Sequence, residues 1–301
     1  MRRIEYFVSE QYNETPLYYF LRECVGVSTR IIQSLRHTPE SVFVNGSESR
    51  VVDKVMTGDK IEIFLPEKTE APLLWETELS VIYEDEDLLI IDKPSGVSVH
   101  PTRNHPNGTL CNAVAGYLKK AGNENFVARA VGRLDKVTSG VMVFAKNAFV
   151  ASKLNGNLNK TYIALAEGIL KGEGTVNAPI YRPYLNKTIR AVGEQGDEAI
   201  TKWKALKSLN DKTVLEVRTV TGRTHQIRVH CAHIGHALVG DEMYGARPTE
   251  YMKRAALHCY KVKIIHPITN EEKSFVAELP EDFKKELEKS GFSLDKEKCF
   301  C

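Results

Sequence analysis

Apolar residues change their spacing along the chain, and those changes mark its elements. Lys60 to Ile63 alternate polar and apolar, the period of a half-buried strand. That run closes a hairpin-like stretch made of Ser41-Val-Phe-Val-Asn-Gly46, Val51-Val52 and Gly58 to Leu65, with Asn45-Gly46 as a turn signal. Ahead of it, Leu17 to Leu21 and Ser28 to Leu35 are expected to be helical. Residues 67–75 have no periodicity, follow Pro66 and contain Pro72, so they read as a linker. From Glu76 to about Pro280, β-rich runs alternate with loops and a few helices. The spacing predicts strands at 79–83, 88–92, 141–145, 161–167, 214–220 and 261–266, and helices at 109–120, 147–158 and 224–234. A short charged helix is expected over 281–290, then a tail over 291–301. Strands outnumber helices, and strict strand–helix alternation is missing. The expected class is therefore α+β: a mainly antiparallel mixed sheet in residues 76–290, preceded by a small α/β module in residues 1–66.

Composition adds little to this and excludes several classes. A chain of 301 residues, 42% hydrophobic and 27% charged, can bury a sizeable core without disulfides or metals. Its six cysteines are scattered and form no CxxC pair, so zinc-ribbon spacing is absent and a reducing cytoplasm is the expected setting. Cys299 and Cys301 read as part of a frayed tail. The opening MRRIEYFVSEQYNETP has no apolar stretch of signal-peptide type. The longest apolar runs, such as Leu88 to Ile91, are strand-sized, so no membrane span is expected. The net charge of +2 is uninformative, but its distribution is not. Between Lys202 and Arg228 seven lysines or arginines face two acids, Asp211 and Glu216, a local excess suited to a polyanion or to a solvated face.

Three stretches carry candidate chemistry. Asp135 lies in Val131-Gly-Arg-Leu-Asp-Lys-Val-Thr-Ser-Gly140, just before the apolar run Val141 to Ala145. It suits a carboxylate facing a cleft, and equally an Asp that holds a turn through its side chain. The second stretch is Thr221-Gly-Arg-Thr-His-Gln-Ile-Arg-Val-His-Cys-Ala-His-Ile-Gly235. On a helix from about Thr224, Ile227, Cys231 and Ile234 share the core face, and Arg228 falls at the apolar boundary. A guanidinium losing water needs an anion, and Asp135 is the obvious partner. Such a cation would keep a cleft carboxylate ionised, as a nucleophile must be; the alternative is a purely structural ion pair. Four histidines crowd this stretch (His225, His230, His233 and His236), but the last three spread over about 120° of a helix and do not converge on a metal. The third stretch is Asn159-Lys-Thr-Tyr162, where Tyr162 alone reads as a packed strand aromatic.

Taken together, these stretches resemble the RluA-type family of RNA pseudouridine synthases, in order and in separation. Tyr83 to Pro101 is similar to that family's opening motif, and Arg133-Leu-Asp-Lys-Val-Thr-Ser-Gly140 to its catalytic-aspartate motif. Lys160-Thr-Tyr162 is similar to its tyrosine motif, and Gly222-Arg-Thr-His-Gln-Ile-Arg228 to its basic motif. Leu257-His258 followed by Pro267-Ile-Thr269 is similar to its closing strand pair. The resemblance covers residues 76–280. It implies an RNA-modifying isomerase with Asp135 as nucleophile, Arg228 as its ion-pair partner, and Tyr162 stacked on the target base and taking part in proton removal. It places Arg133 in the helix stack or on phosphate, and Arg223, Thr224, His225 and Ile227 near the substrate. Gly132 departs from the family, which often has histidine before Arg-Leu-Asp. The isomerisation moves the glycosidic bond from nitrogen 1 to carbon 5 of an extruded uracil, and needs no metal or cofactor.

Residues 1–66 resemble the small RNA-binding module first known from a ribosomal small-subunit protein, through Val42-Phe-Val-Asn-Gly46 and Gly58-Asp-Lys-Ile-Glu-Ile63. Their charge is nearly balanced, eight basic residues against nine acidic, with Arg22, Arg30, Arg36 and His37 as a local positive stripe. An appended module of this kind resembles enzymes of large-subunit ribosomal RNA more than minimal tRNA-acting ones. The expected partner is structured RNA, ribosomal or tRNA, and the expected state is a cytoplasmic monomer. Two rivals from other classes stay open on sequence alone: a non-catalytic RNA-binding or ribosome-assembly factor, and a metal-dependent hydrolase using the histidines.

Overall fold

Ser139–Ala145 has every residue buried, as expected of a strand covered on both faces. The computed structural model describes residues 2–65, 73–103, 105–122 and 129–292. Among them, ten strands form one sheet around Ser139–Ala145. On one side Leu88–Lys93 and then Val81–Glu84 follow antiparallel, and Arg129–Val131 pairs its far half. On the other side Leu257–Ile265 runs parallel to it through Ser139 and Gly140. Gly140 allows this approach: its φ is +111°, and a Cβ there would lie 2.2 Å from the Cys259 carbonyl oxygen. Beyond Leu257–Ile265 come Asn159–Glu167, Lys212–Thr219, Ile200–Leu209 and Glu173–Asn177, each antiparallel to the last, while Glu272–Val276 pairs the other edge of Leu257–Ile265. Nearly all contacts are antiparallel with one parallel pair, the mixed sheet that the spacing predicts.

The small unit at the start is a four-stranded sheet, in the order Arg2–Phe7, Lys60–Leu65, Val42–Val44 and Ser47–Glu48, with helices Leu17–Glu23 and Thr29–His37. The alternation in Lys60–Leu65 buries Ile61, Ile63 and Leu65. Asn45 and Gly46 take φ of 51° and 79°, the doubly left-handed turn that joins two-residue hairpins. Several expectations differ from the structure. Val51-Val52 sits in a turn, not a strand. Arg2–Phe7 and Ile200–Leu209 are strands that the hydrophobic pattern does not reveal. The helix expected over 147–158 is Ala148–Leu154, and that over 224–234 is Gln226–His233, which leaves Ile234 half-buried beyond its end. Residues 67–72 of the expected linker and residues 293–301 of the expected tail, with Cys299 and Cys301, lie outside the described residues.

The first strand is riveted to the large sheet. Arg2 donates from Nε and Nη2 to both oxygens of buried Asp87, at 2.9 Å each, and Asp87 also accepts Asn147 Nδ2 at 2.8 Å. Asn147 in turn caps Ala148–Leu154. Arg2→Ala should therefore lower stability by about 1–3 kcal/mol, because it strips a charged partner from a buried carboxylate. Chemical denaturation reads this directly; an unchanged midpoint would show that the rivet contributes nothing.

Candidate active site

Asp135 occupies the turn between Arg129–Val131 and Ser139–Ala145. The turn closes through the backbone: Thr138 N–H donates to the Asp135 carbonyl oxygen at 3.1 Å. The carboxylate is thus not the turn's fastener, and its side chain is 15% exposed in the cleft. Two basic side chains hold this turn from behind. Lys93, fully buried, donates through Nζ to the carbonyls of Pro94 and Val97 at 2.8 Å each and reaches that of Lys136 at 3.4 Å. Burial pushes the Lys93 amine down to about 7, with the charge of Arg254 adding to the effect. Arg254 pairs with Asp282 and donates to the Val137 carbonyl at 3.1 Å.

Arg228 projects from the first turn of Gln226–His233. Gln226 shapes the entry: its Oε1 accepts from the Thr221 hydroxyl at 2.8 Å and from Arg223 N–H at 2.9 Å, and its Nε2 donates to the Ile200 carbonyl at 2.9 Å. His225 sits left-handed at the helix start, φ 58°. The expected ion pair of Arg228 with Asp135 is present, but the hydrogen bonds of the guanidinium go to a second acid that sequence did not single out. Nε and Nη2 of Arg228 donate to the two oxygens of Asp241, both at 2.7 Å, while Nη1 lies 3.8 Å from the Asp135 carboxylate. A planar guanidinium fork presents one edge to one carboxylate and leaves its remaining nitrogen for the other. Burial alone would depress the Arg228 pKa, but the bonds and charge of Asp241 outweigh it and raise it. The ring of Tyr244 covers the guanidinium, 5.0 Å from its centre.

Tyr162 lies in Asn159–Glu167, in register with Cys259 and 7% exposed. Burial, then the neighbouring Cys259 and Asp135, raises its phenol well above 10, so it is neutral at physiological pH. Asp135, Tyr162, Arg228, Arg133, Arg223, His225 and Ile227 all line one open cleft of about 330 Å³. Thr224 is not on its wall, but its hydroxyl lies 3.4 Å from Nη1 of Arg133 at the rim. Arg223 is anchored by Nε to the Glu198 carbonyl at 2.9 Å. His225 Nδ1 meets the Tyr244 hydroxyl at 2.8 Å, and burial lowers its pKa. The other histidines point elsewhere: His230 to Thr201 and the Ala178 carbonyl, His236 to the Glu167 carbonyl. Gly132, where the family often has histidine, takes φ +70°, and a Cβ would lie 3.1 Å from the Lys160 ammonium.

Asp241, Tyr244, Lys93 and Arg254 were not singled out by sequence. One signal was available: a buried guanidinium has more donors than one distant carboxylate satisfies, and Asp241 is the first acid after its helix.

Residues 87–233 match the model of the RNA pseudouridylate synthase family. The chain is 40% identical over 250 residues to the ribosomal large subunit pseudouridine synthase D of Haemophilus influenzae, covering 77% of each chain. The chain belongs to the RNA pseudouridylate synthase family. The synthase is also 37% identical to an uncharacterised RNA pseudouridine synthase of Bacillus subtilis over 294 residues, 94% of this chain and 96% of that one. Its fold is shared by human RNA pseudouridylate synthase domain containing 4, with a TM-score of 0.59 at 22% identity over 71% of this chain and 94% of that one. The synthase is thus an RNA-modifying isomerase of the RluA type, as its motifs imply. Among the described residues, no helix is long and apolar enough to cross a membrane.

Proposed function

We propose that this synthase converts uridine to pseudouridine in large-subunit ribosomal RNA, with Asp135 as the nucleophile. The observation that carries the reading is the arrangement of one carboxylate between two states. The Asp135 carboxylate plays no part in closing its own turn, yet faces a fixed guanidinium at 3.8 Å. The guanidinium presents its charge to the carboxylate without tying it up in hydrogen bonds.

In the reaction, a carboxylate oxygen of Asp135 bonds to the ribose carbon as the bond to uracil nitrogen 1 breaks. The freed uracil turns, its carbon 5 bonds to the ribose carbon, and the bond to Asp135 breaks. The proton left on carbon 5 then needs an acceptor. The neutral, deeply buried phenol of Tyr162 is ill suited to take it as phenolate. The released carboxylate is the anionic acceptor at hand; a proton passes on to nitrogen 1, which restores the carboxylate and completes pseudouridine, and Tyr162 serves as a face against which the base turns. Arg133, Arg223, Thr224 and His225 hold the extruded nucleotide at the rim, and Ile227 supplies an apolar wall. The reading is of a cytoplasmic monomer, and the reaction as written calls on no metal or cofactor.

The ribosomal target rests on the names of the relatives and on the unit at residues 1–66, which adds RNA contacts through exposed Arg30 and Arg36 on Thr29–His37. The test is tritium release from carbon 5 of labelled uridine in transcripts of large-subunit RNA and of tRNA. Release from ribosomal transcripts alone is expected; release from tRNA alone would move the target. In the same assay Tyr162→Phe should retain kcat/KM within about tenfold, while Tyr162→Leu should lose roughly 10–100-fold, the worth of a stacking face of about 1–3 kcal/mol. Equal losses in both would return the phenol to the proton transfer.

A further inference from the structure

The large sheet has two halves, and they carry different parts of the site. The turn of Asp135 belongs to the half made of Arg129–Val131, Ser139–Ala145, Leu88–Lys93 and Val81–Glu84. Leu257–Ile265 and the strands beyond it form the other half, which carries Tyr162 and leads through Lys212–Thr219 into the helix of Arg228. The halves meet in a parallel register of Ser139 with His258 and Gly140 with Cys259. So short a seam leaves the spacing between Asp135 and Arg228 to side chains, and Arg254 is the one that spans it. Its Nη1 donates to the carbonyls of Val137, Ala255 and Leu257 at 3.1, 3.2 and 3.3 Å, and its Nη2 to the Ser139 hydroxyl oxygen at 3.3 Å. Val137 and Ser139 lie on the Asp135 side of the seam, Ala255 and Leu257 on the other. Both oxygens of Asp282, in the first turn of Glu281–Lys289, accept from Nε and Nη2 at 2.8 and 3.1 Å. The Ser139 hydroxyl carries the link further, meeting His258 Nδ1 at 2.9 Å. Burial pushes His258 down to about 4, and its Nε2 faces the Ala277 carbonyl at 3.0 Å. The neutral ring therefore donates from Nε2 and accepts the serine proton at Nδ1.

The backbone of the same residue reaches the second acid of the site. Gly240 takes φ +75°, and a Cβ there would lie 2.4 Å from the Arg254 carbonyl oxygen. Asp241 follows directly and holds the fork of Arg228. Arg254 thus touches the turn of Asp135 with its side chain and the turn before Asp241 with its backbone, and Arg228 pairs with both acids. We propose that Arg254 is a positioning residue that sets the spacing between Asp135 and Arg228, its fork fixed by Asp282 of the helix Glu281–Lys289. The proposal rests on the reading of Asp135 as nucleophile. A lysine would supply the charge but not the geometry, because one ammonium cannot serve a carboxylate, a hydroxyl and carbonyls on both sides of the seam together.

The test measures kcat and KM for tritium release in Arg254→Ala, Arg254→Lys, Asp282→Ala and Ser139→Ala, each at a temperature where circular dichroism shows it folded. Arg254→Ala should lower kcat about 10–100-fold, the cost of misplacing a reacting group by about 1 Å, with KM within about threefold. Arg254→Lys should lose nearly as much. The smaller deletions Asp282→Ala and Ser139→Ala should each lower kcat by about 2–10-fold. A cavity of about 490 Å³ lined by Lys93, Ser139 and Asp282 gives a small ion a route to the fork. Millimolar guanidinium should therefore restore part of the kcat of Arg254→Ala, and equal potassium chloride should not. A loss that came only from lowered stability would be deepened by guanidinium instead. Folded Arg254→Ala with kcat within about twofold of wild type, or a loss that guanidinium deepens, would overturn the proposal. Should Arg254→Ala not fold, wild-type kcat in both Asp282→Ala and Ser139→Ala would overturn it. Turnover undiminished in Asp135→Asn would instead overturn the function reading.

Discussion

Asp135→Asn should abolish tritium release while leaving fold and RNA affinity nearly intact. The amide has the shape of the carboxylate but is not a nucleophile, so no bond to ribose forms. The turn should survive because it closes through the backbone carbonyl of residue 135 and is braced by Lys93 and Arg254. Arg228 should stay in place because Asp241, not Asp135, holds its fork. The melting temperature should therefore move little and the RNA dissociation constant should stay within a few-fold. Turnover above about a tenth of wild type, a barrier change under about 1.4 kcal/mol, would remove Asp135 from the nucleophile's role.

The pair Arg228 and Asp241 should behave differently, because both are buried. Side-chain exposures are 5% and 2%. Arg228→Met leaves a buried carboxylate without its cation and should cost about 3–5 kcal/mol of stability. Asp241→Leu leaves the guanidinium to Asp135 alone and should cost a similar amount. Either change should lower kcat at least 100-fold, about 2.7 kcal/mol in the barrier. The double variant removes both charges, so it should recover most of the lost stability and none of the activity. Denaturation and single-turnover assays of the four proteins complete the cycle. A double variant within tenfold of wild-type activity would show that the clamped guanidinium does not act on Asp135. A single variant as stable as wild type would show that the pair is not the buried anchor described here.

The elements legible in the sequence are those whose burial follows one period. Leu88 to Ile91 is an unbroken apolar run because both its faces are covered, and Lys60–Leu65 alternates because only one is. Ile200–Leu209 escaped because its pattern is broken twice. Lys202, Lys204 and Lys207 face solvent along an outlying strand, and a bulge between Ala205 and Lys207 shifts the register midway. Arg2–Phe7 escaped for a related reason: of its six residues only Ile4 is buried.

In the site, helical projection places Arg228 at the apolar boundary, and the structure buries it. Projection cannot name the acid that meets it, since Asp241 arrives from the turn after the helix. Nor can sequence tell whether Asp135 closes its turn by side chain or by backbone; that depends on one N–H, of Thr138. The braces Lys93 and Arg254 act on carbonyl groups, which every residue has, so no spacing of side chains announces them.

The most direct test of the central claim is a map of pseudouridines in total RNA from cells lacking this gene, and from the same cells given back either wild type or Asp135→Asn. The account predicts that one or a few uridines of large-subunit ribosomal RNA lose modification, regain it with wild type, and stay unmodified with the asparagine variant. An unchanged map, or full restoration by Asp135→Asn, would contradict it.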